Sequence, residues 1–373
     1  MRFHYKTIAT IFLVHVLLST CVWAQALRIP NGTNISNTIG RTVGITAIEV
    51  KYNAPSVRGR AGQIWGTSIV PYGFQVLGFG SNMESPWRAG ADESTTISFS
   101  TDVTINGEKL AAGEYGFFIA VYEDHCTLIF NKNTDGWGAY FYDKPQDILR
   151  VDTKQQKGVE PMRELLAYTF NNQTANSVEL ALEWENWRIP FTVGVDTKAT
   201  ILKDIQTQLS GAIGFDPPSL QAGAQWCLNN EVNYDQALEW INSVMLPGLG
   251  GQRTFTALNI KAGLLEKKGL TTEATQLKAE SLDVATSLEL HQYGRQLLAQ
   301  GKVDDSFVIF EKNYTKFNGA WPTNVGMMRV YSAKKEYKKA LQYAEKALKQ
   351  APDDLNRNAL ADAVKKLKAG QGI

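Results

Sequence analysis

Histidine and cysteine are scarce in this chain of 373 residues, which contains four histidines and three cysteines. Two of the histidines and one cysteine fall within the first 24 residues, which have the features of a signal peptide. The two cysteines and two histidines that remain are too few for a disulfide framework or a Cys/His zinc cluster. A Ser-His-Asp or Cys-His mechanism would have to use one of two imidazoles. The sequence therefore predicts no metal and no other cofactor, and it leaves these thiols and imidazoles: Cys126, Cys227, His125 and His291.

An excess of charge of one sign is also lacking. The chain has 38 lysines and arginines against 37 aspartates and glutamates, which gives a net charge of +1. No basic block follows the N-terminal segment. Proteins that bind nucleic acid usually carry a basic patch or stripe. The composition therefore predicts that nucleic acid is not a partner.

Only one long apolar run is present, at residues 8–18, and it is shorter than the about 20 residues that a membrane-spanning helix needs. A short basic segment precedes it and small residues ending at Ala24 follow, so residues 1–24 are predicted to be a signal peptide. In an alternative that ranks second, Cys21 is lipid-modified, but Thr20 stands where a smaller residue is usual. The predicted location is the periplasm or cell envelope, with no transmembrane segment after cleavage.

Residues 25–196 have the texture of a β domain, with Thr-, Val-, Ile- and aromatic-rich runs separated by turn residues. Asn106-Gly107 predicts a hairpin whose second strand covers residues 115–122. A second hairpin is predicted around residues 133–136, with strands at 126–131 and 137–142. An antiparallel sandwich or barrel is the fold class that these short strands favour.

The texture changes near Thr197 to an Ala-, Leu-, Lys-, Glu- and Gln-rich sequence with helical spacing. Residues 197–222 are predicted to be a helix and linker, and residues 223–370 an all-α, tetratricopeptide-like solenoid. Gly294 and Phe310 are followed thirty-four positions later by Met328 and Ala344, which is the period of that repeat. Small residues in such a unit allow two helices to cross closely.

Four ordered motifs of the β domain lie at residues 52–60, 64–66, 70–73 and 87–96. Together they resemble a family of unknown function, DUF2911. The likeness covers roughly residues 26–195. The resemblance implies an exported protein of the kind common in Bacteroidetes, often joined to tetratricopeptide segments, but it implies no activity. Between the third and fourth motifs, residues 74–86 are longer and richer in glycine than in many members.

The densest group of polar and aromatic residues in the β domain contains arginine forks, carboxylates and indole rings. Arginine suits carboxylate or phosphate, tryptophan offers a stacking face, and neighbouring glycines let the backbone approach a ligand. The alternative, which ranks first, is that Arg88 pairs with Asp92 or Glu93 to pin two loops while the tryptophans cover the core. The candidate ligand-binding residues are Arg58, Arg60, Trp65, Trp87, Arg88, Asp92 and Glu93.

Two other polar groups are weaker candidates for chemistry. Glu183 and Glu185 lie two apart on a predicted strand and could act as a carboxylate pair in glycoside cleavage. A solvated strand face explains this spacing better. Residues 123–125, Glu-Asp-His, could supply metal ligands but are better explained as a turn. His291 is predicted to pack between helices. No catalytic residue is assigned.

The predicted repeats form a surface that can bind an extended peptide or a partner helix. A run of lysines near the last unit would favour an acidic partner, although lysines on a helix are usually only solvated. These lysines are Lys334, Lys335, Lys338 and Lys339.

The leading hypothesis is an exported binding or scaffolding protein rather than an enzyme. Its β domain would bind a small molecule, glycan or peptide, and its helical repeats would engage a protein partner. One alternative is a glycosidase-like hydrolase that uses Asp92, Glu93 or the Glu183 and Glu185 pair. The other is a purely structural envelope module.

Overall fold

The structure is a computed structural model that describes residues 34–373, so the predicted signal peptide lies outside the described residues. The chain divides into two compact units after Thr197. Within the described part, every helix is too short or too polar to cross a membrane.

The first unit contains β-strands whose named pairs are all antiparallel. One sheet has the order β1-β2-β5-β8-β9-β10, the second has the order β12-β13-β14-β6-β7 with β11 paired to β14, and β3 pairs with β4. The strands are β1 (Ile35–Val43), β2 (Thr46–Ala54), β3 (Gln75–Val76), β4 (Glu84–Ser85), β5 (Ala91–Phe99), β6 (Val103–Ile105), β7 (Glu108–Leu110), β8 (Gly113–Val121), β9 (Cys126–Asn131), β10 (Asp147–Thr153), β11 (Gln156–Lys157), β12 (Arg163–Asn171), β13 (Ser177–Glu185) and β14 (Trp187–Gly194).

The two large sheets pack face to face around an aromatic core. Phe117 of β8 and Phe191 of β14 meet with ring centroids 5.7 Å apart, and Phe130 of β9 lies 5.1 Å from Phe117. Neither sheet closes on itself, so the predicted antiparallel β fold is confirmed as a sandwich and the barrel alternative is not formed.

The Asn106-Gly107 turn forms the predicted hairpin, but with a different second strand. Gly107 has a φ of +94°, and the turn joins β6 to β7 rather than to residues 115–122. The latter belong mainly to β8, which pairs with β5 in the other sheet. The prediction was wrong because the alternation before the turn covers β5 and β6, which lie in different sheets.

Residues 137–142, predicted as a strand, form turns instead. β9 pairs with β10, and the 137–142 segment lies over the outer face of β8 and β9, where Tyr142 contacts Phe118 with ring centroids 5.3 Å apart. Gly138 has a φ of +60°, a conformation typical of turns. β8 is therefore buried on both faces, and the 137–142 segment forms one wall of the cleft described below.

The second unit consists of packed helix pairs, which confirms the predicted all-α, tetratricopeptide-like fold class. After α1, the pairs are α2 with α3, α4 with α5, α6 with α7 and α8 with α9, and α10 packs on α9. The helices are α1 (Thr197–Leu209), α2 (Pro217–Asn230), α3 (Tyr234–Val244), α4 (Phe255–Lys267), α5 (Thr271–Val284), α6 (Ser287–Ala299), α7 (Val303–Lys316), α8 (Trp321–Ala333), α9 (Tyr337–Lys349) and α10 (Asp354–Lys368).

Glycines let these helices approach one another closely at Phe310, which is fully buried. A Cβ atom on Gly294 would lie 2.6 Å from the Phe310 ring, and one on Gly326 would lie 2.3 Å from it. Ser306 Oγ also donates a hydrogen bond to the Gly294 carbonyl oxygen at 2.8 Å. The small residue expected at the crossing is therefore present in α6, and α8 supplies its own glycine at a different position.

Candidate functional site

A cleft of about 450 Å³ lies in the β domain between residues 55–60, the β3–β4 hairpin, residues 85–92 and residues 139–140. Its walls contain five of the seven predicted ligand-binding residues: Arg58, Arg60, Trp87, Arg88 and Asp92. Trp65 and Glu93 do not line it. Three arginines and one aspartate are the charged side chains among its lining residues, so the cleft is cationic.

Arg88 is held in the cleft by uncharged partners. Its Nη1 donates a hydrogen bond to the Asp92 carbonyl oxygen at 2.8 Å, and its guanidinium carbon lies 5.3 Å from the centre of the Tyr140 ring. Gly138 makes room for it, because a Cβ there would lie 2.2 Å from the guanidinium carbon. Among the described residues, Arg88 forms no ion pair with the Asp92 or Glu93 carboxylate. The predicted pin between charges is therefore not the contact that fixes this side chain.

Arg60 and Glu164 fix the loop that carries Arg58. Arg60 donates from Nε to the Val57 carbonyl oxygen at 2.9 Å and from Nη2 to the Ser56 carbonyl oxygen at 2.7 Å. Glu164 accepts a hydrogen bond from the Ser56 hydroxyl and, at 2.9 Å, one from the Arg58 amide. These bonds, with the nearby arginine charges, lower the pKa of Glu164. The loop is thus held in place from both sides of its turn.

The two carboxylates of the predicted group have amide partners. Asp92 Oδ2 accepts from Asn34 Nδ2 at 2.9 Å, and Glu93 Oε2 accepts from Asn53 Nδ2 at 2.7 Å. Only Asp92 faces the cleft. The structure therefore does not place these neighbouring residues together as an acid and base in one cavity.

Four tryptophans form a cluster behind the cleft. Trp65 stacks on Trp187 with ring centroids 4.5 Å apart, and Trp87 stacks on Trp184 at 6.2 Å. Trp65 also makes edge contacts with Trp87 and Trp184, at 5.7 and 6.0 Å. Trp184 lines the cleft, and its Nε1 is buried without a hydrogen-bond partner among the described residues. The cluster supports the predicted covering of the core, and it also supplies an aromatic wall to the cleft.

The backbone around the cleft contains residues in the left-handed region. Arg58, Ala89 and Asp92 have φ values of +51°, +51° and +56°. Non-glycine residues in this conformation are uncommon and cost of order 1–3 kcal/mol each when strained, and they cluster at functional sites. The surrounding contacts therefore hold two cleft residues, Arg58 and Asp92, in conformations that the chain does not prefer.

Sequence reasoning missed Tyr140, Leu77 and Asn34 as cleft residues. Tyr140 fell within a predicted strand, and Leu77 lies in the glycine-rich segment that the resemblance could not place. The glycines at 136 and 138 were the available signal that residues 137–142 form a turn. Asn34 carried no signal, because a single asparagine before a strand is common.

Glu183 and Glu185 are not on a solvated face, so the preferred interpretation of this pair was wrong. Glu185 is 4% exposed and accepts a hydrogen bond from the Gly62 amide. Glu183 forms ion pairs with Arg163 at 2.7 Å and with Arg188 at 3.3 Å. Both glutamates line a second cleft of about 550 Å³. The Glu183 carboxylate is thus held between two arginine side chains rather than left free to face a ligand.

The residues considered and set aside as metal ligands, and the two thiols, are not among the residues that line the cleft. The His125 ring stacks on Tyr122 with centroids 4.6 Å apart, and its Nδ1 lies 2.8 Å from Asp124 Oδ1. Cys126 and Cys227 are buried free thiols in different units, and burial raises their pKa values to about 12 and about 11. These thiols are therefore packed side chains rather than nucleophiles.

In the helical unit, two of the four lysines that were expected to favour an acidic partner already form ion pairs within the chain. Lys334 pairs with Asp304, and Lys339 pairs with Glu336 at 2.6 Å. Each of the two also lies over an aromatic ring, at 5.1 Å from the centroid. This part of the repeat therefore carries less uncompensated charge than the lysine run suggested.

Arg295 of α6 and Arg329 of α8 are two cations of the helical unit that form no ion pair with a carboxylate of the described residues, and His291 of α6 lies near them. Arg329 Nε and His291 Nδ1 are buried and lack a hydrogen-bond partner. Burial and the charge of Arg295 lower the pKa of Arg329. Burial, followed by the charges of Arg329 and Arg295, lowers the pKa of His291 to about 4. Sequence reasoning missed both arginines, because a single arginine in an amphipathic helix is usually a solvated side chain on the exposed face.

Comparison with known families finds a match within the β domain. Residues 35–193 match the model of a family described as "Protein of unknown function (DUF2911)", which confirms the resemblance seen in the motifs. A search of curated proteins finds no match. The match covers the strands and the cleft residues from Arg58 to Tyr140, and it ends before the helical unit.

Proposed function

We propose that the β domain, which carries the match to DUF2911, is a binding module for a small molecule or sugar that bears a carboxylate or phosphate. The observation that carries this proposal is the cleft itself, where Arg58, Arg60 and Arg88 face a space walled by Trp87 and Trp184. Arginine forks bind such anions in pairs of hydrogen bonds, and the indole rings supply apolar contact. The N-terminal sequence supports a proposed location in the periplasm or cell envelope.

The contacts of the acidic side chains favour binding over carboxylate-dependent hydrolysis. Glu183 is paired with two arginines, Glu185 accepts a backbone hydrogen bond, and the Asp92 and Glu93 carboxylates are bonded to asparagines. A glycosidase needs two carboxyl groups that face one sugar from opposite sides. Among the described residues that line the cleft, Asp92 is the only one with a carboxylate.

The Arg88→Ala substitution is expected to weaken the binding of galacturonate by at least about tenfold, which corresponds to about 1.4 kcal/mol. The substitution removes the guanidinium that would face the carboxylate, while its loss of one hydrogen bond and one ring contact costs the fold about 1 kcal/mol. The measurement is titration of the full chain by calorimetry or NMR, with galactose as the uncharged probe.

Arg41→Ala is the matched control, because Arg41 lies 5.7 Å from the Phe170 ring and does not line the cleft. Gly138→Ala provides a second approach, since its Cβ would displace the Arg88 guanidinium without removing it. Gly158→Ala has a similar φ and an open Cβ position, so it reproduces the backbone strain alone. Equal loss of galacturonate binding in Arg41→Ala and Arg88→Ala would contradict the assignment.

For the helical unit, we propose contact with a protein partner through acidic residues that meet Arg295 and Arg329. The observation behind it is that these arginines lack acidic partners among residues 34–373, and that Arg329 Nε is buried with no acceptor. Arg329 also lines a cavity of about 220 Å³ between α8 and α10, where α10 contributes Asp362 and Lys366. A carboxylate placed there would complete the hydrogen bonding of the guanidinium and reduce the repulsion between the two cations.

The Arg295→Ala and Arg329→Gln double substitution is expected to weaken the binding of an oligoglutamate peptide by at least about tenfold. Fluorescence anisotropy of a labelled peptide at low and moderate salt would measure it. Lys334→Ala with Lys339→Ala is the control, because those lysines already have acidic partners. If the lysine control weakens binding as much as the arginine pair, the binding surface lies on the lysines and the proposal is wrong.

A further inference from the structure

The β3–β4 hairpin carries large apolar side chains that face solvent. Val76, Phe79 and Met83 are between 58% and 70% exposed. Soluble proteins rarely group such residues on one exposed segment, and where they do the segment usually contacts a ligand or a partner. We call Val76, Leu77, Phe79 and Met83 the apolar hairpin.

Contacts with Tyr140 hold the apolar hairpin in place. The Ser81 amide donates to the Tyr140 carbonyl oxygen at 2.8 Å, and the Phe79 and Tyr140 rings meet edge to face at 5.9 Å. Gly80 makes this approach possible, because a Cβ there would lie 2.2 Å from that carbonyl oxygen. The hairpin is therefore positioned by the 137–142 segment while its apolar side chains remain exposed.

Tyr140 also connects the apolar hairpin to the cationic cleft. Tyr140 and Leu77 both line the cleft, and the Tyr140 ring lies 5.3 Å from the Arg88 guanidinium carbon. An anionic group held by Arg88 would thus lie beside a surface that continues onto the exposed apolar side chains. The two surfaces suit the two ends of one molecule.

We propose that the ligand of the β domain is an anionic amphiphile, whose charged head binds in the cleft and whose linear hydrocarbon chain lies along the apolar hairpin. This inference rests on the proposed anion-binding function and specifies its ligand class. Each methylene removed from water strengthens binding by roughly fourfold. A chain of several methylenes therefore contributes more to affinity than a second polar contact at the head would.

The test measures the binding of sodium decanoate and of sodium acetate to the full chain. These two probes share a carboxylate and differ in the length of the hydrocarbon. Decanoate is expected to bind at least about 100-fold more tightly than acetate, since burial of only a few methylenes suffices for that ratio. Val76→Ser with Met83→Ser, which keeps the contact between Phe79 and Tyr140, is expected to weaken decanoate binding at least about tenfold and acetate binding much less. Val308→Ser is the control, because Val308 is 60% exposed in the helical unit.

The outcomes separate this inference from the function on which it rests. If acetate binds in an Arg88-dependent way and decanoate binds no more tightly, the amphiphile is wrong and the anion site stands. If neither probe nor galacturonate binds, both proposals fail. Binding to phosphatidylglycerol vesicles without binding of monomeric decanoate would overturn the inference in favour of a membrane surface. Dimerisation that depends on Phe79 would overturn it in favour of a second copy.

Discussion

Replacing Trp184 with alanine is expected to destabilise the β domain by about 3–5 kcal/mol. Trp184 is 1% exposed and contacts both Trp87 and Trp65, so the substitution removes a large buried side chain and leaves a cavity between its neighbours. For a domain of this size, that loss lowers the melting temperature by roughly 10 °C. Calorimetry of the full chain measures the change in melting temperature.

Trp137→Ala is the matched control for this prediction. Trp137 belongs to the same domain but is 45% exposed, so its removal is expected to change stability by less than about 0.5 kcal/mol. If Trp184→Ala lowered the free energy of unfolding by less than about 1 kcal/mol, the tryptophan cluster would not be the main support of the cleft wall. A large loss would also explain why the unpartnered Trp184 Nε1 is tolerated, because apolar burial of the ring outweighs one unsatisfied donor.

The sequence predicted the type of each element better than its partner. Strand alternation and turn residues identified β5, β6, β8 and β9, since these signals are local. The same signals could not show that Asn106-Gly107 turns back within the second sheet, because strand pairing depends on contacts distant in sequence. The strand predicted at residues 137–142 was wrong for a related reason, since the aromatic side chains of this segment pack on the outside of a sheet rather than within one.

The candidate site was predictable where it was built from one short motif. Arg88 and Asp92 lie four residues apart and Arg58 and Arg60 two apart, so both groups were visible in the sequence. Tyr140 and Leu77 come to the cleft only through the packing of residues 137–142 against the β3–β4 hairpin. The environment of Glu183 also depended on tertiary contacts, because Arg163 and Arg188 reach it from the strands on either side.

The helical unit is expected to lose stability as the pH falls from about 6.5 to about 4, by at most about 3 kcal/mol from His291. Burial and the charges of Arg329 and Arg295 lower the pKa of His291 to about 4 in the folded chain, whereas an unfolded histidine has a pKa near 6.5. Between these values the unfolded chain binds a proton that the folded chain does not. Acid therefore favours unfolding in this window, and the contribution is fully present above about pH 6.5.

Denaturant unfolding of the full chain, followed by far-UV circular dichroism at several pH values, measures this dependence. His291→Gln removes the titrating group, so the pH dependence between 6.5 and 4 should shrink in that variant, whereas His125→Gln in the β domain should leave the helical transition unchanged. The paired carboxylates Glu280 and Asp283 have lowered pKa values and also lose stabilising contacts in acid, but they do so equally in both variants. An unchanged slope in His291→Gln would mean that the imidazole is solvated or that an anion already compensates the two arginines.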